Sequence, residues 1–153
     1  MATINDAARY ILDKLGDMSA MKLQKLCYYS YGYHLAWEER SLFEERFEAW
    51  ANGPVSPQLY ARHRGQFIVA PDDINGNPKE LDAGERESIG LVLAALGDFS
   101  AHQLSAMTHR ESPWLRARER DNAQGLERSC EPLLDADIHL YFDGVTANDS
   151  GQG

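Results

Sequence analysis

The sequence predicts an α+β fold that is predominantly α: a compact bundle of about six or seven helices with a small two- or three-stranded antiparallel β element. Apolar residues recur at helical spacing in several segments, and capping residues and glycines separate these segments. An alternating pattern typical of a strand occurs over residues 47–51. A chain of 153 residues with 43% hydrophobic and 25% charged residues matches one globular domain.

The first two helices are predicted from apolar periodicity and from their end signals. The first covers residues 5–15, and Gly16 ends it. Ser19 can cap the second, which runs to about Trp37. This second helix is apolar nearly all round, which is typical of a central, buried helix.

Two short strands are expected in the middle of the chain. Residues 47–51 predict the first, and a turn follows at Asn52-Gly53-Pro54. Residues 67–69 predict the second, and Asn75-Gly76 then indicates a small hairpin that closes near Leu81.

Capping and proline signals predict four further helix starts. They are Ser56-Pro57, Asp82 with Glu85, Ser100 with Gln103, and Ser112-Pro113. Asp135 can cap a last short helix that reaches Phe142. Residues 143–153 are expected to form a flexible polar tail, so that residues 1–142 make up a single domain.

The charge balance limits the classes of partner. The chain has 15 basic and 24 acidic residues, a net charge of −9. Because phosphate binding requires a basic surface, this balance argues against nucleic acid and anionic membranes as partners. It is compatible with a positively charged protein partner. The sequence has no apolar run long enough for a transmembrane helix and no signal-peptide pattern, so we expect a cytoplasmic protein.

The sequence contains no motif of a known catalytic or metal site. Cys27 and Cys130 do not form a CxxC pair, and the five histidines lack the HExxH spacing of a helical zinc site. We therefore expect no metal, no cofactor and no enzymatic activity. His109 and Glu111 are candidates for an acid–base pair. The interpretation we favour is that they hold a corner between helices, with Trp114 packed below.

Aromatic residues are dense between positions 28 and 50. They are Tyr28, Tyr29, Tyr31, Tyr33, Trp37 and Trp50. Tyrosine and tryptophan are enriched at interface hot spots, but a helical core uses the same residues. We expect Trp37 and Trp50 to lie in the core, and both alternatives stay open for the tyrosines.

Three groups of residues resemble a known family. They are MKLQKLCYYS at 21–30 with GYHLA at 32–36, FEAW at 47–50 with NGPV at 52–55, and LSAMTH at 104–109 with Glu111 and Pro113-Trp114. In this order and spacing they resemble Panacea domains, the SocA-like antitoxin family, also described as GepA-like phage-associated proteins. The resemblance extends over about residues 5–142.

The resemblance implies a small, mainly helical antitoxin of a toxin–antitoxin system, which neutralises a cognate protein toxin by direct protein–protein binding. It does not identify the toxin, because the family pairs with many unrelated toxins. The side chains that we expect to contact the partner are Lys22, Gln24, Lys25, Tyr28, Tyr29, Tyr33, Asn52 and Tyr60. The motif residues that we expect to be structural are His34, Trp50, Gly53, Pro54, His109, Glu111, Pro113 and Trp114.

Three alternative functions stay open. The first is an adaptor that delivers a toxin or another partner to a cytoplasmic protease. The second is an enzyme that reverses a toxin's modification through His109 and Glu111. The third is a DNA-binding autorepressor, which the acidic charge disfavours.

Overall fold

Seven helices and four short strands form the part of the chain that the structure describes. This computed structural model describes the backbone of residues 1–151 and the side chains of residues 1–147. The helices are α1 (Ile4–Leu15), α2 (Ala20–Glu38), α3 (Pro57–His63), α4 (Ala83–Leu96), α5 (Ala101–Thr108), α6 (Ser112–Arg120) and α7 (Asp135–Gly151). The strands are β1 (Met18–Ser19), β2 (Glu48–Trp50), β3 (Gly53–Val55) and β4 (Ile68–Val69). The predicted α+β, predominantly α fold is confirmed.

Helix α2 is the centre of the fold. It packs against α1, α4, α5 and α7, and its side chains Leu23, Leu26 and Cys27 are fully buried. Gly32 allows α7 to approach closely, since a Cβ atom there would overlap the ring of Phe142. The prediction of a central, buried helix is therefore confirmed. Neither α2 nor any other described helix is long and apolar enough to span a membrane.

The predicted capping residues begin four of the helices. The side chains of Ser19, Ser56, Asp82 and Ser100 each accept a hydrogen bond from the backbone N–H three residues further on. Helix α6 differs, because it begins at Ser112 and Glu111 at its N-cap position makes no capping bond. The Glu111 carboxylate accepts a hydrogen bond from Tyr29 instead.

Each of the two sheets has two antiparallel strands. Strand β2 pairs with β3, with Ala49 opposite Pro54 and Trp50 opposite Gly53. Gly53 and Pro54 thus lie in a strand rather than in the predicted turn. The strand expected at residues 67–69 forms as β4, and its partner is β1.

The hairpin predicted around Asn75-Gly76 is wrong. The segment contains two 3₁₀ turns instead, Pro71–Asp73 and Pro78–Glu80. It is held against the start of α1, where Asp6 Oδ1 accepts a hydrogen bond from the Asn77 N–H at 2.7 Å. Since proline has no N–H for a strand ladder, the prolines favour turns, and the contact with α1 fixes them.

Helix α7 is longer than the sequence predicts. It does not end near Phe142 but continues to Gly151, so the backbone of residues 143–151 is helical. Ile138 and Phe142 bury one face of the helix in the core, and no proline interrupts the segment that follows. Residues 152–153 lie outside the described part of the chain, and the flexibility of the tail stays a prediction.

Candidate functional site

Side chains from α5, α6 and the corner between them hold the backbone of the β2–β3 hairpin. Four consecutive carbonyl oxygens of the hairpin accept hydrogen bonds from these side chains. The pairs are Arg118 with Ala49 (2.9 Å), Trp114 with Trp50 (2.8 Å), His109 with Ala51, and Ser105 with Asn52 (2.6 Å). Because a buried carbonyl without a donor costs about 1–3 kcal/mol, these bonds fix the path of the hairpin.

Lys25 on α2 makes a fifth bond of this kind. Its Nζ donates to the carbonyl oxygen of Pro54 at 2.9 Å, and its side chain is completely buried. Glycine is required at position 53, since φ is +114° and a Cβ atom would lie 2.7 Å from Lys25 Cε. Burial lowers the pKa of Lys25 from 10.5 to about 7.

A half-open pocket lies beside this hairpin, between the start of α2, α3 and the loop that leads to Cys130. Its volume is about 590 Å³, a size typical of small-molecule sites. The inner wall consists of the buried side chains of Gln24, Lys25, Val55 and His63, and the exposed side chains of Tyr60, Arg64, Leu126 and Arg128 surround the mouth.

The charge of the pocket is opposite to that of the chain as a whole. Lys25, His63, Arg64 and Arg128 line it, and among the described residues no aspartate or glutamate does. Within the described side chains, neither Arg64 nor Arg128 forms an ion pair. The pocket is therefore a local basic site in a protein whose net charge is −9.

Gln24 fixes the inner wall of the pocket. Its Oε1 accepts a hydrogen bond from the Ser56 N–H at 2.9 Å, and its Nε2 donates to the Ser56 carbonyl at 3.1 Å. Nε2 also lies 3.0 Å from His63 Nε2. Burial lowers the pKa of His63, which favours the neutral ring that can accept this hydrogen bond.

A second buried polar cluster joins α2 to the corner between α5 and α6. The Tyr29 hydroxyl donates to Glu111 Oε2 at 2.8 Å, and the Tyr141 hydroxyl lies near this carboxylate. Burial raises the pKa of Glu111 from 4.5 to about 7. His109 stacks on Trp114, with ring centroids 4.3 Å apart. Because His109 and Glu111 have different partners, the geometry favours the interpretation that they hold the corner.

One cluster of possible metal ligands occurs within residues 1–147. The ligand atoms of Glu39, His139 and Asp143 lie within 4.8 Å of one another. His139 Nε2 lies 3.0 Å from Glu39 Oε2, and the two carboxylate side chains are exposed. We assign no metal to this group, since exposed acidic residues commonly pair with a histidine.

Comparison with known proteins identifies the family to which these motifs belong. The family described as "Antitoxin SocA-like, Panacea domain" matches residues 23–115. The chain belongs to this family. Antitoxin SocA from Caulobacter vibrioides (strain NA1000 / CB15N) is 33% identical to it over 125 aligned positions, and the alignment covers 70% of the chain. The chain spans 65% of the length of that relative, and no solved structure matches it. The resemblance predicted from the three groups of motif residues is confirmed.

The Panacea motif residues lie mainly inside the fold. His34, Gly53, Pro54, Pro113 and Trp114 are buried. His34 Nδ1 lies 2.7 Å from Ser88 Oγ, which joins α2 to α4. Trp50 is half-buried, and its Nε1 donates to Glu48 Oε1 at 2.8 Å.

The side chains expected to contact a partner are divided between the core and the surface. Those without exposed surface are Gln24, Lys25, Tyr28 and Tyr29. Lys22 and Tyr33 are half-buried; Lys22 Nζ donates to the Gly97 carbonyl at 2.6 Å. Asn52 and Tyr60 are exposed, and they are the side chains of this set that a partner can reach without rearrangement.

The aromatic residues of α2 show why the tyrosines are buried. The ring of Tyr28 packs edge-on against Phe47 and Phe142, at centroid distances of 5.3 and 5.9 Å. Trp37 was expected in the core but is 40% exposed. Its ring lies on Tyr33, with centroids 5.1 Å apart, so it covers the end of the aromatic cluster from outside.

The pocket brings together four of the predicted contact residues: Gln24, Lys25, Asn52 and Tyr60. The sequence reasoning missed Arg64, Leu126 and Arg128, which complete it. Leu126 and Arg128 lie in a loop without periodicity, so no local signal links them to α3.

Proposed function

We propose that this Panacea-family protein is an antitoxin that neutralises a cognate protein toxin in the cytoplasm by direct binding. Family membership carries the proposal, because the relative that aligns with 70% of the chain is named Antitoxin SocA. The name is that of an antitoxin and not of an enzyme, and we assign no catalytic role to His109 and Glu111. We propose no nucleic-acid partner, since the net charge is −9.

We assign the toxin contact to the pocket mouth and the neighbouring strand β4. Tyr60, Ile68, Leu126 and Phe67 form this surface, which we call the pocket face; their exposed fractions are 37%, 50%, 68% and 80%. Phe67 is next to the pocket because its carbonyl accepts a hydrogen bond from Ala20, a pocket residue. Exposed aromatic and aliphatic side chains of this kind supply hot spots when a partner buries them.

The test is co-expression with the toxin encoded by the neighbouring gene, followed by growth rescue and co-purification. We expect Tyr60→Ala and Leu126→Ala each to weaken the complex by about tenfold or more, as hot-spot truncations do. Leu91→Ala is the matched control, because Leu91 is 51% exposed on α4 and does not line the pocket.

Two results would contradict this proposal at different levels. If the unaltered protein neither rescues growth nor co-purifies with the toxin, neutralisation by direct binding is rejected. If Leu91→Ala weakens the complex as much as Tyr60→Ala does, the toxin binds but the pocket face is not its contact surface.

We propose sequestration of the toxin, and delivery of the toxin to a cytoplasmic protease is the competing outcome of the same contact. The half-life of the toxin in cells separates the two. Sequestration leaves the half-life unchanged or longer when the antitoxin is present, whereas delivery shortens it and makes neutralisation dependent on the protease.

A further inference from the structure

The pocket contains basic side chains that binding of an apolar partner surface does not require. It combines about 590 Å³ of volume with the basic side chains of Lys25, Arg64 and Arg128, and no acidic side chain of the described residues lines it, in a chain with 24 acidic and 15 basic residues. We propose that this pocket is a binding site for a carboxylate joined to an aromatic or apolar body. This inference concerns the isolated chain and does not depend on the toxin.

Lys25 is the donor behind the inner end of the pocket, and because its side chain has no exposed surface, a ligand carboxylate contacts its ammonium group only when the side chains of the inner wall rearrange. An ammonium group can donate three hydrogen bonds, and Pro54 O is the acceptor that the described residues offer it. Desolvation by burial lowers its pKa, with no contribution from an acidic neighbour. A bound carboxylate supplies both a further acceptor and the counter-charge that the buried ammonium lacks.

The mouth of the pocket adds positive charge on two sides. Arg64 follows α3 and Arg128 lies on the opposite loop, and both are exposed. Neither has an ion-pair partner in the part of the chain that the structure describes. Two guanidinium groups that no carboxylate of the described residues pairs with attract a ligand carboxylate and can bind it in bidentate geometry.

The aromatic lining fits the rest of the ligand. Trp50 and Tyr60 lie edge to face, with ring centroids 5.1 Å apart, and Val55 and Leu126 add aliphatic surface. A ligand ring that packs against these side chains buries apolar area and makes further aromatic contacts.

A carboxylate suits the inner end better than a phosphate monoester does. It carries one negative charge, which the single buried ammonium of Lys25 can balance. A phosphate monoester carries about 1.5 to 2 negative charges near neutral pH, and the additional charge has to leave water without a second buried cation.

The test uses the isolated full-length protein and two probes that differ in one group. N-acetylphenylalanine presents a carboxylate on an aromatic body, and its amide presents the same body without charge. Binding is measured by calorimetry and by protection of Cys130 from iodoacetamide; Cys130 is exposed at the pocket, and Cys27 is buried. We expect the acid to bind at least about tenfold more tightly than the amide.

Substitutions at the mouth locate the binding. We expect Arg64→Gln and Arg128→Gln each to weaken binding of the acid about fivefold, and Arg62→Gln to change it less than about twofold. Arg62 is the matched control because it is an exposed arginine of α3 that does not line the pocket. Lys25→Met should abolish the preference for the acid over the amide.

The inference fails if the acid and the amide bind equally or if neither binds. It also fails if Arg62→Gln weakens binding as much as Arg64→Gln does, since the attraction is then a general charge effect. If phenyl phosphate binds at least about tenfold more tightly than N-acetylphenylalanine, the ligand of the pocket is a phosphate monoester and not a carboxylate.

A competition arm identifies the source of the carboxylate once the probe binds. Displacement of the cognate toxin by N-acetylphenylalanine assigns the carboxylate to the toxin, and simultaneous binding assigns it to a free aromatic acid. Because the probe experiment needs no toxin, its failure rejects the site and leaves toxin neutralisation to be judged by growth rescue.

Discussion

Replacement of Lys25 by methionine removes a buried ammonium group and keeps most of the length of the side chain. The folded-state pKa of Lys25 is about 7 and the ordinary value is 10.5. Because one pKa unit corresponds to about 1.4 kcal/mol, holding the protonated lysine in the core costs up to about 5 kcal/mol of folding free energy. Methionine has no such cost but leaves the Pro54 carbonyl without its donor, a loss of about 1 kcal/mol.

The sign of the pH dependence follows from the direction of the pKa shift. Between pH 7 and 10.5 the unfolded chain keeps the Lys25 proton and the folded protein loses it, so the free energy of unfolding rises with pH. From about pH 7 to about pH 9 the rise is about 2 kcal/mol. We therefore expect Lys25→Met to be more stable than the unaltered protein by about 3 kcal/mol near pH 7 and by about 1 kcal/mol near pH 9.

The window between about pH 7 and pH 9 isolates Lys25 from its titrating neighbours. His63 and His109 lie near Lys25. Burial lowers the pKa of both histidines, so the free energy of unfolding falls when the pH drops below their ordinary pKa of 6.5. Glu111 has a pKa of about 7 in the folded protein, so it changes the free energy of unfolding with pH mainly below pH 7. The buried tyrosines Tyr28 and Tyr29 have pKa values raised above 10, so they titrate above the window.

Urea unfolding followed by far-ultraviolet circular dichroism, at several pH values in this window, measures the difference. Lys14→Met is the control for net charge: Lys14 is exposed, so we expect a change of less than about 0.5 kcal/mol at every pH. Parallel stability curves for the unaltered protein and Lys25→Met would refute the reasoning, because Lys25 would then keep the same proton affinity in both states.

Two further substitutions test the second cluster and the packing of α7. Glu111→Gln keeps an acceptor for Tyr29 and removes the charge; because the folded-state pKa is raised to about 7, ionisation costs stability as pH rises from 4.5. The variant should be more stable by about 3 kcal/mol near pH 8 and by little near pH 4.5 in urea unfolding, and a pH-independent difference would contradict this. Gly32→Ala places a methyl group in the ring of Phe142 and should cost about 1–3 kcal/mol in the same assay. Gly90→Ala on α4 has open space around its new methyl group and should instead stabilise by about 0.5–1 kcal/mol, so equal effects of the two would show that crowding against α7 is not the cause.

The helix boundaries can be predicted from the sequence because their signals are local. Asp82 and Glu85 cap each other's backbone within one turn, and Gly16 with φ of +84° ends α1 whatever packs around it. Helix α7 has no local stop signal near Phe142, and its end is the one that the sequence misplaces.

The pairing of strands cannot be predicted in the same way, because it depends on contacts between distant segments. Strand β1 has two residues, too few for an alternating pattern, and only the fold places it beside β4. The contact of Asn77 with Asp6 likewise spans 71 positions of the chain. A tip such as Asn75-Gly76 favours a hairpin locally, but the tertiary contact determines what forms.

For the same reason, the sequence does not predict whether the tyrosines of α2 are buried. Tyrosine is costly to bury without a partner for its hydroxyl, and the partner of Tyr29 is Glu111, 82 positions later. The sequence did not predict the pocket, although Asn52 and Tyr60, two of the side chains expected to contact a partner, line it. Its remaining wall, with Arg128, approaches only when the chain folds.

The structure also explains how a family pattern can identify a fold without identifying a toxin. Four side chains that hold the hairpin carbonyls lie within the matched residues 23–115; they are Lys25, Ser105, His109 and Trp114. The matched residues therefore include the hairpin backbone and the inner wall of the pocket. Leu126 and Arg128, which form the opposite side of the mouth, lie outside the matched residues. Under the proposed function, substitutions at the mouth change the surface offered to a partner without removing a hairpin bond, whereas substitution of an anchoring side chain removes one of these bonds whatever the partner is.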